Sequence, residues 1–138
     1  MKLNFRVENI PPKKDGANSM WNKKSELIHL KELRKKAFEA MNGKSPFDCP
    51  LHLKIIINAN QKDGDLDNFI SGICDGLMAA HPRTPITNEL WNDLPEGARP
   101  RNNIVYQDDS LISKIEAERK EVNKSLRFYD VQIKLVEN

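Results

Sequence analysis

Acidic side chains gather at two places in this sequence, Asp63-Gly64-Asp65-Leu66-Asp67-Asn68 and, well downstream, the pair Asp108-Asp109. Both stand where an apolar run stops, so the carboxylates collect at element ends, where catalytic metals tend to be held. Like charges at close range raise each other's protonation cost unless a cation neutralises them. A donor set made of carboxylate oxygens selects hard cations, Mg²⁺ or Mn²⁺ above thiophilic metals. The plainer role for Asp65 or Asp67 is to cap a helix, since carboxylates are favoured in a first turn. One cap accounts for one aspartate and not for the group. A calcium EF-hand would use Asp63, Asp65 and Asp67 as loop positions one, three and five, but its sixth position is Asn68 instead of Gly and its twelfth is Cys74 instead of Glu.

The elements that must position these acids follow from periodicity. Leu51, Leu53, Ile55, Ile57 and Ala59 alternate with polar neighbours and predict a central strand, with a turn from Asn60 to Gly64. Leu66, Phe69, Ile70, Ile73, Cys74, Leu77 and Met78 then give a helix with a wide apolar stripe. A strand thus delivers the acidic stretch to a helix N-terminus. Ile104-Val105-Tyr106 reads as a short strand ending in the second pair, of which alternation lets only one acid reach the site.

Upstream, Leu3, Phe5 and Val7 alternate with polar residues as a half-buried strand over 2–9. Pro11-Pro12-Lys13-Lys14-Asp15-Gly16 cannot continue a ladder and reads as an exposed basic loop whose lysines meet phosphate or only water. Trp21 is expected to pack beneath it. Ser25 is a plausible N-cap for an amphipathic helix over 25–42 that Gly43 would end. Its polar face carries Lys31, Arg34, Lys35 and Lys36, a solvated face or a binding stripe, and His29 is expected at the surface. Residues 80–103 are irregular, punctuated by four prolines, with a short capped helix predicted at 87–94; Arg83, Arg99 and Arg101 make the segment a candidate phosphate-contacting or dimer-contacting flap. Residues 111–122 are ambiguous between helix and strand. Tyr129, Val131, Ile133 and Leu135 alternate in a last strand, and a hairpin between these two segments would resolve the ambiguity toward strand.

The chain suits one domain over its 138 residues. No apolar run approaches a membrane span and the first residues lack the apolar segment of a signal peptide, so the expected compartment is the cytoplasm. Cys49 and Cys74 lack the spacing of a zinc site or disulfide scaffold and read as reduced, buried small hydrophobes. The net charge of +2 hides a polarity: residues 1–50 hold 11 Lys or Arg against 6 Asp or Glu, and residues 51–138 hold 11 against 14. Solvated faces account for this, and so does a basic surface that holds a polyanion beside an acidic cluster that holds the metal acting on it.

Asp65-Leu66-Asp67-Asn68, a helix containing Asp75-Gly76-Leu77, and Val105-Tyr106-Gln107-Asp108-Asp109-Ser110-Leu111-Ile112 entering a charged segment together resemble the RusA family of Holliday-junction resolvases. The matching part runs from about 55 to 120. The resemblance implies a small α/β (α+β) fold with a mixed sheet of four or five strands and two main helices, a homodimer, often prophage-encoded in bacteria, that cuts four-way DNA with Mg²⁺. It places catalytic, metal-holding aspartates at Asp65, Asp67 and Asp109, with Asp108 beside them, leaves Asp63 as a turn residue, and decides 111–122 in favour of strand. Lys13, Lys14, Lys54, Lys62, Arg99 and Arg101 are the candidate DNA contacts. The chain departs from the family's pattern twice. The lysine usual three residues after the motif asparagine is Ser71 here, with Lys54 and Lys62 as candidates to supply its charge, and 80–103 is an insertion where the family has a shorter link.

Overall fold

The computed structural model describes residues 2–14, 20–120 and 125–136. Four strands and two helices follow in the order β1 (Lys2–Val7), α1 (Lys24–Met41), β2 (Leu51–Asn58), α2 (Leu66–Gly76), β3 (Ile112–Lys120) and β4 (Phe128–Leu135), with 3₁₀ turns at Gln61–Asp63, Asn88–Trp91, Glu96–Ala98 and Asp109–Leu111. Asp15, Gly16, Val122 and Asn123, which belong to the expected basic loop, charged segment and last turn, lie outside the described residues.

The sheet runs β1-β4-β2-β3. β4 pairs antiparallel with β1 and with β2, whereas β3 lies parallel to β2. The architecture is therefore α+β with a four-stranded mixed sheet. Segment 112–120 is a strand, against its helical propensity, yet the expected hairpin with the last strand does not form, because β4 is inserted between β1 and β2 and β3 takes the outer edge. Alternation decides the two faces. Leu51, Leu53, Ile55 and Ile57 of β2 align with Val131, Ile133 and Tyr129 of β4 and are buried with Leu27, Leu30, Leu33, Phe69 and Ile73 of the helices. Lys54, His52, Gln132 and Lys134 alternate onto the opposite, polar face. Helices thus cover one face only.

Helix α1 starts two residues earlier than Ser25 would cap it: Lys23 is the N-cap, without a side-chain cap bond, and Asn42 (φ 48°) and Gly43 (φ 81°) take the left-handed turn at its end. Its polar face is interrupted. Arg34 is wholly buried and donates to five backbone carbonyls, those of Gly76 (2.8 Å), Met78 (2.7 Å), Ala98 (2.9 Å), Arg99 (2.8 Å) and Asn102 (2.7 Å). Burial pulls its pKa down to about 9, and the guanidinium also lies 5.0 Å from the Trp21 ring centre. His29 is half-buried, bonded to Asn9 (2.9 Å), not a free surface residue, and burial lowers its pKa. Trp21 is buried against Trp91, ring centres 5.8 Å apart. Cys74 is buried and Cys49 only half-buried, both as free thiols.

The 80–103 segment is not a loose flap. Trp91, Leu94 and Ala98 enter the core, and its short helix is a 3₁₀ turn whose N-cap, Thr87, makes no side-chain cap bond. Residues 104–106 form no strand. Tyr106 makes only an isolated bridge to Phe47, and the backbone N–H of Val105 donates to Leu77 (3.0 Å). Among the described residues no helix is long and apolar enough to cross a membrane.

Candidate active site

β2 hands the chain to a turn that uses Asp63 for itself. The Asp63 carboxylate accepts the Asn60 backbone N–H (2.9 Å) and pairs with Arg127 (2.5 Å), so Asp63 is a turn residue. Gly64 follows at φ 154°, a conformation that favours glycine; a Cβ there would lie 2.5 Å from Lys13 Cδ and 2.9 Å from the Phe69 ring. Arg119 of β3 donates to the Gly64 carbonyl and stacks over Phe69 at 5.6 Å, which ties the edge strand to the turn.

Asp65 is then the N-cap of α2, but its carboxylate makes no cap bond. Phe69, Gly72, Ile73 and Cys74 face the core, leaving Asp67, Ser71 and Asp75 at i, i+4 and i+8 along one outward stripe. Asp65 and Asp67 are exposed, and neither carboxylate is held by an ion pair or hydrogen bond among the described residues.

The basic loop is docked on this helix. Pro11 and Pro12 are buried, the Lys13 N–H donates to the buried Glu26 carboxylate (2.8 Å), and the Lys14 N–H donates to the Asn68 carbonyl (3.2 Å). A Cβ on Gly72 would stand 1.9 Å from the Pro12 carbonyl oxygen, so the approach requires glycine there. The consequence is that the Lys14 ammonium reaches Asp75 at 2.6 Å, one helical turn beyond Ser71. That ion pair raises the Lys14 pKa, with Asp109 adding to the effect.

Asp109 arrives from the other side. The Tyr106 hydroxyl donates to the Cys74 carbonyl (2.5 Å) and the Gln107 N–H to Phe47 (3.1 Å), which fixes the approach to the 109–111 turn. Asp108 is its N-cap and turns outward, accepting from the Ser110 hydroxyl (3.0 Å) and N–H (3.4 Å), bonds that hold its pKa below the usual range. Burial pushes the Asp109 carboxyl above that range, with Asp108 and Asp75 adding to the shift and Lys14 opposing it. One acid of the pair does reach the site, through a turn instead of strand alternation. Lys14, Asp75 and Asp109 line an open cavity of about 1070 Å³ that His81, Thr84 and Arg101 also line.

The carboxylates therefore fall into two groups, Asp65 with Asp67 at the start of α2 and Asp75 with Asp109 around Lys14. Among the described residues no three His, Cys, Asp or Glu side chains converge as a ready metal site. Asp75 was missed as a site residue, though its spacing from Asp67 and Ser71 is the signal that reveals it. Lys54 points from the opposite face of the sheet and cannot supply the charge absent at Ser71, and Lys62 is exposed on the 61–63 turn. Arg99 and Arg101 bond carbonyls of their own segment, Leu94 (3.2 Å) for the first, His81 (3.0 Å) and Thr84 (2.7 Å) for the second. No family model matches the chain, and no curated protein matches it either.

Proposed function

We propose that the protein is a metal-dependent endonuclease that cuts branched DNA, a four-way junction above all, as a cytoplasmic homodimer of bacterial or prophage origin. The observation that carries this reading is the Lys14 ammonium paired with Asp75 of the acid-bearing helix, in an open cavity that Asp109 also lines. The donor set fits Mg²⁺ or Mn²⁺ by chemistry, since Asp65, Asp67, Asp75 and Asp109 offer only hard carboxylate oxygens. Asp65 with Asp67 at the start of α2, and Asp109 with Asp75 in the cavity, are the two groups that would offer ligands to such an ion, which when bound would supply an activated water and charge stabilisation at a phosphodiester.

The chain's own residues have distinct parts. Asp65 and Asp67 present exposed carboxylates with no partner to displace among the described residues. Asp109, partly desolvated and held above its usual pKa, is the acid most responsive to a cation in the cavity. Lys14 supplies the positive charge that position 71 lacks, aimed at phosphate oxygens and held in place by Asp75. Lys13 and Lys62 flank the turn as backbone contacts that position DNA without reading it. A two-fold dimer would offer one such site to each of two opposing strands.

The test is cleavage of a synthetic four-way junction in Mg²⁺ by wild type, Asp67→Asn, Lys14→Gln and Ser71→Lys. Cleavage that vanishes in Asp67→Asn, falls at least tenfold in Lys14→Gln and is restored in Lys14→Gln/Ser71→Lys supports the reading. A wild type that binds junctions without cutting in Mg²⁺ or Mn²⁺ favours a second reading, a branched-DNA-binding protein with weakened chemistry, to which Ser71 and the divided carboxylates point. Equal indifference to duplex and junction DNA at low salt favours instead a phage protein that binds a protein partner.

A further inference from the structure

The uncovered face of the sheet carries a feature that the site above does not use. Lys2 of β1 is the direct cross-strand partner of Lys134 of β4, Lys134 that of His52 of β2, and His52 that of Lys114 of β3. Four basic side chains thus form one continuous row across all four strands, on the face opposite the helices. Directly opposed like charges destabilise a sheet. The next row adds Lys54 and Glu116, which is ion-paired to Lys114 at 2.9 Å, and the row beyond it carries Asp130, paired with Arg6, and Glu118. Lys114 first, then Lys54 and His52, hold the Glu116 pKa below its ordinary value. Side chains of this row and the next line a shallow cavity of about 250 Å³.

We propose that this row is a second nucleic-acid contact, binding the phosphate backbone of a duplex on the sheet face remote from the carboxylates. Three intervals of about 4.8 Å make the row about 14 Å long. A duplex presents one charge per about 1.7 Å of axis, so it can engage every member, whereas a small anion would meet one or two. A membrane surface fits less well: the large exposed apolar residues, Ile28, Leu90, Ile115 and Leu126, all lie outside the row. The choice of DNA as ligand rests on the functional reading above, but the row itself does not.

The experiment is fluorescence anisotropy with labelled duplex and four-way junction across a salt series, comparing wild type with Lys2→Gln/Lys114→Gln/Lys134→Gln. The triple variant should bind at least tenfold more weakly near 100 mM salt, with the slope of log affinity against log salt reduced by about 2 to 3. Lys2→Arg/Lys114→Arg/Lys134→Arg should bind like wild type, which separates charge from misfolding. Removing two exposed lysines elsewhere, Lys35→Gln/Lys44→Gln, should change affinity less than twofold. An unchanged slope in the triple glutamine variant overturns the proposal. So does a loss confined to phosphatidylserine vesicles with DNA binding intact. Cleavage is scored separately: a protein that never cuts yet loses DNA with the row removed defeats the nuclease reading alone.

Discussion

Two irregular, proline-bearing segments flank the cavity and use their cations in opposite ways. In residues 80–103, Arg99 and Arg101 are turned onto carbonyls of their own segment, and Arg34 reaches in from α1 to bind five more carbonyls at its two ends. In residues 10–14 the backbone makes the anchoring bonds, to Glu26 and Asn68, and the Lys14 side chain is left to meet carboxylates. The difference lies in what needs satisfying. A long excursion without regular structure leaves carbonyls that a planar five-donor guanidinium can collect, while a short loop pinned by its own N–H groups leaves its side chains for other work.

Arg34→Met carries the largest expected effect. Five carbonyls lose their donor in a buried setting, and the unfolding free energy should fall by about 3 to 5 kcal/mol. Urea denaturation reads it directly, and a loss under 1 kcal/mol would mean the segment holds itself. Gly72→Ala acts on the other segment. Its new methyl collides with the Pro12 carbonyl, so the 10–14 loop must lift, at a cost of about 1 to 3 kcal/mol. Junction cleavage should then drop further than stability accounts for, because Lys14 leaves Asp75; cleavage that tracks only the folded fraction would show that the docking is structural.

Asp109→Asn acts through pH. A carboxyl whose folded pKa is raised binds its proton more tightly in the folded protein, so its stabilising effect is present at low pH and is lost as pH rises from its unfolded value through its folded one. The asparagine variant should therefore be more stable than wild type at neutral pH, with the gap closing below the carboxylate range, and inactive throughout. A variant less stable at pH 7 would contradict the raised pKa. The smallest effect belongs to Arg101→Gln, which removes two exposed bonds. Stability should shift by less than about 1 kcal/mol and DNA affinity by less than twofold, and a larger affinity loss would return that arginine to the role of phosphate contact.

Much of the scaffold was legible because its elements carry clear periods. β1, α1, β2, α2 and β4 follow their apolar spacing to within a few residues. β3 was not legible that way. As an edge strand with both faces largely open, Ser113 to Glu116 exposed in succession, it has little buried alternation to display, and only the family resemblance pointed to strand. Its parallel partner was hidden too, since pattern reports what a face touches and not which strand lies beside it. At the candidate site, the family resemblance set Asp63 apart from Asp65, Asp67 and Asp109, and the turn bonds of Asp63 agree with that, whereas the pairing of Lys14 with Asp75 depends on a loop folding across a helix. Arg34 left a trace that charge obscured: it falls on the stripe of Leu30, Ala37 and Met41, where a solvated residue has no place.

The five carbonyls gathered by Arg34 sit at positions 76, 78, 98, 99 and 102, the two roots of the long excursion. With both roots fastened, the closure entropy of whatever lies between them is already met, and lengthening the tip costs little. Residues His81 to Leu90, mostly exposed, can therefore change in number or kind without disturbing the strand order or moving Tyr106 and Asp109. His81 and Thr84 of that tip also form a wall of the cavity. The fold thus holds an exchangeable partition against carboxylates that stay where they are, so one wall of the cavity can change independently of Asp75 and Asp109.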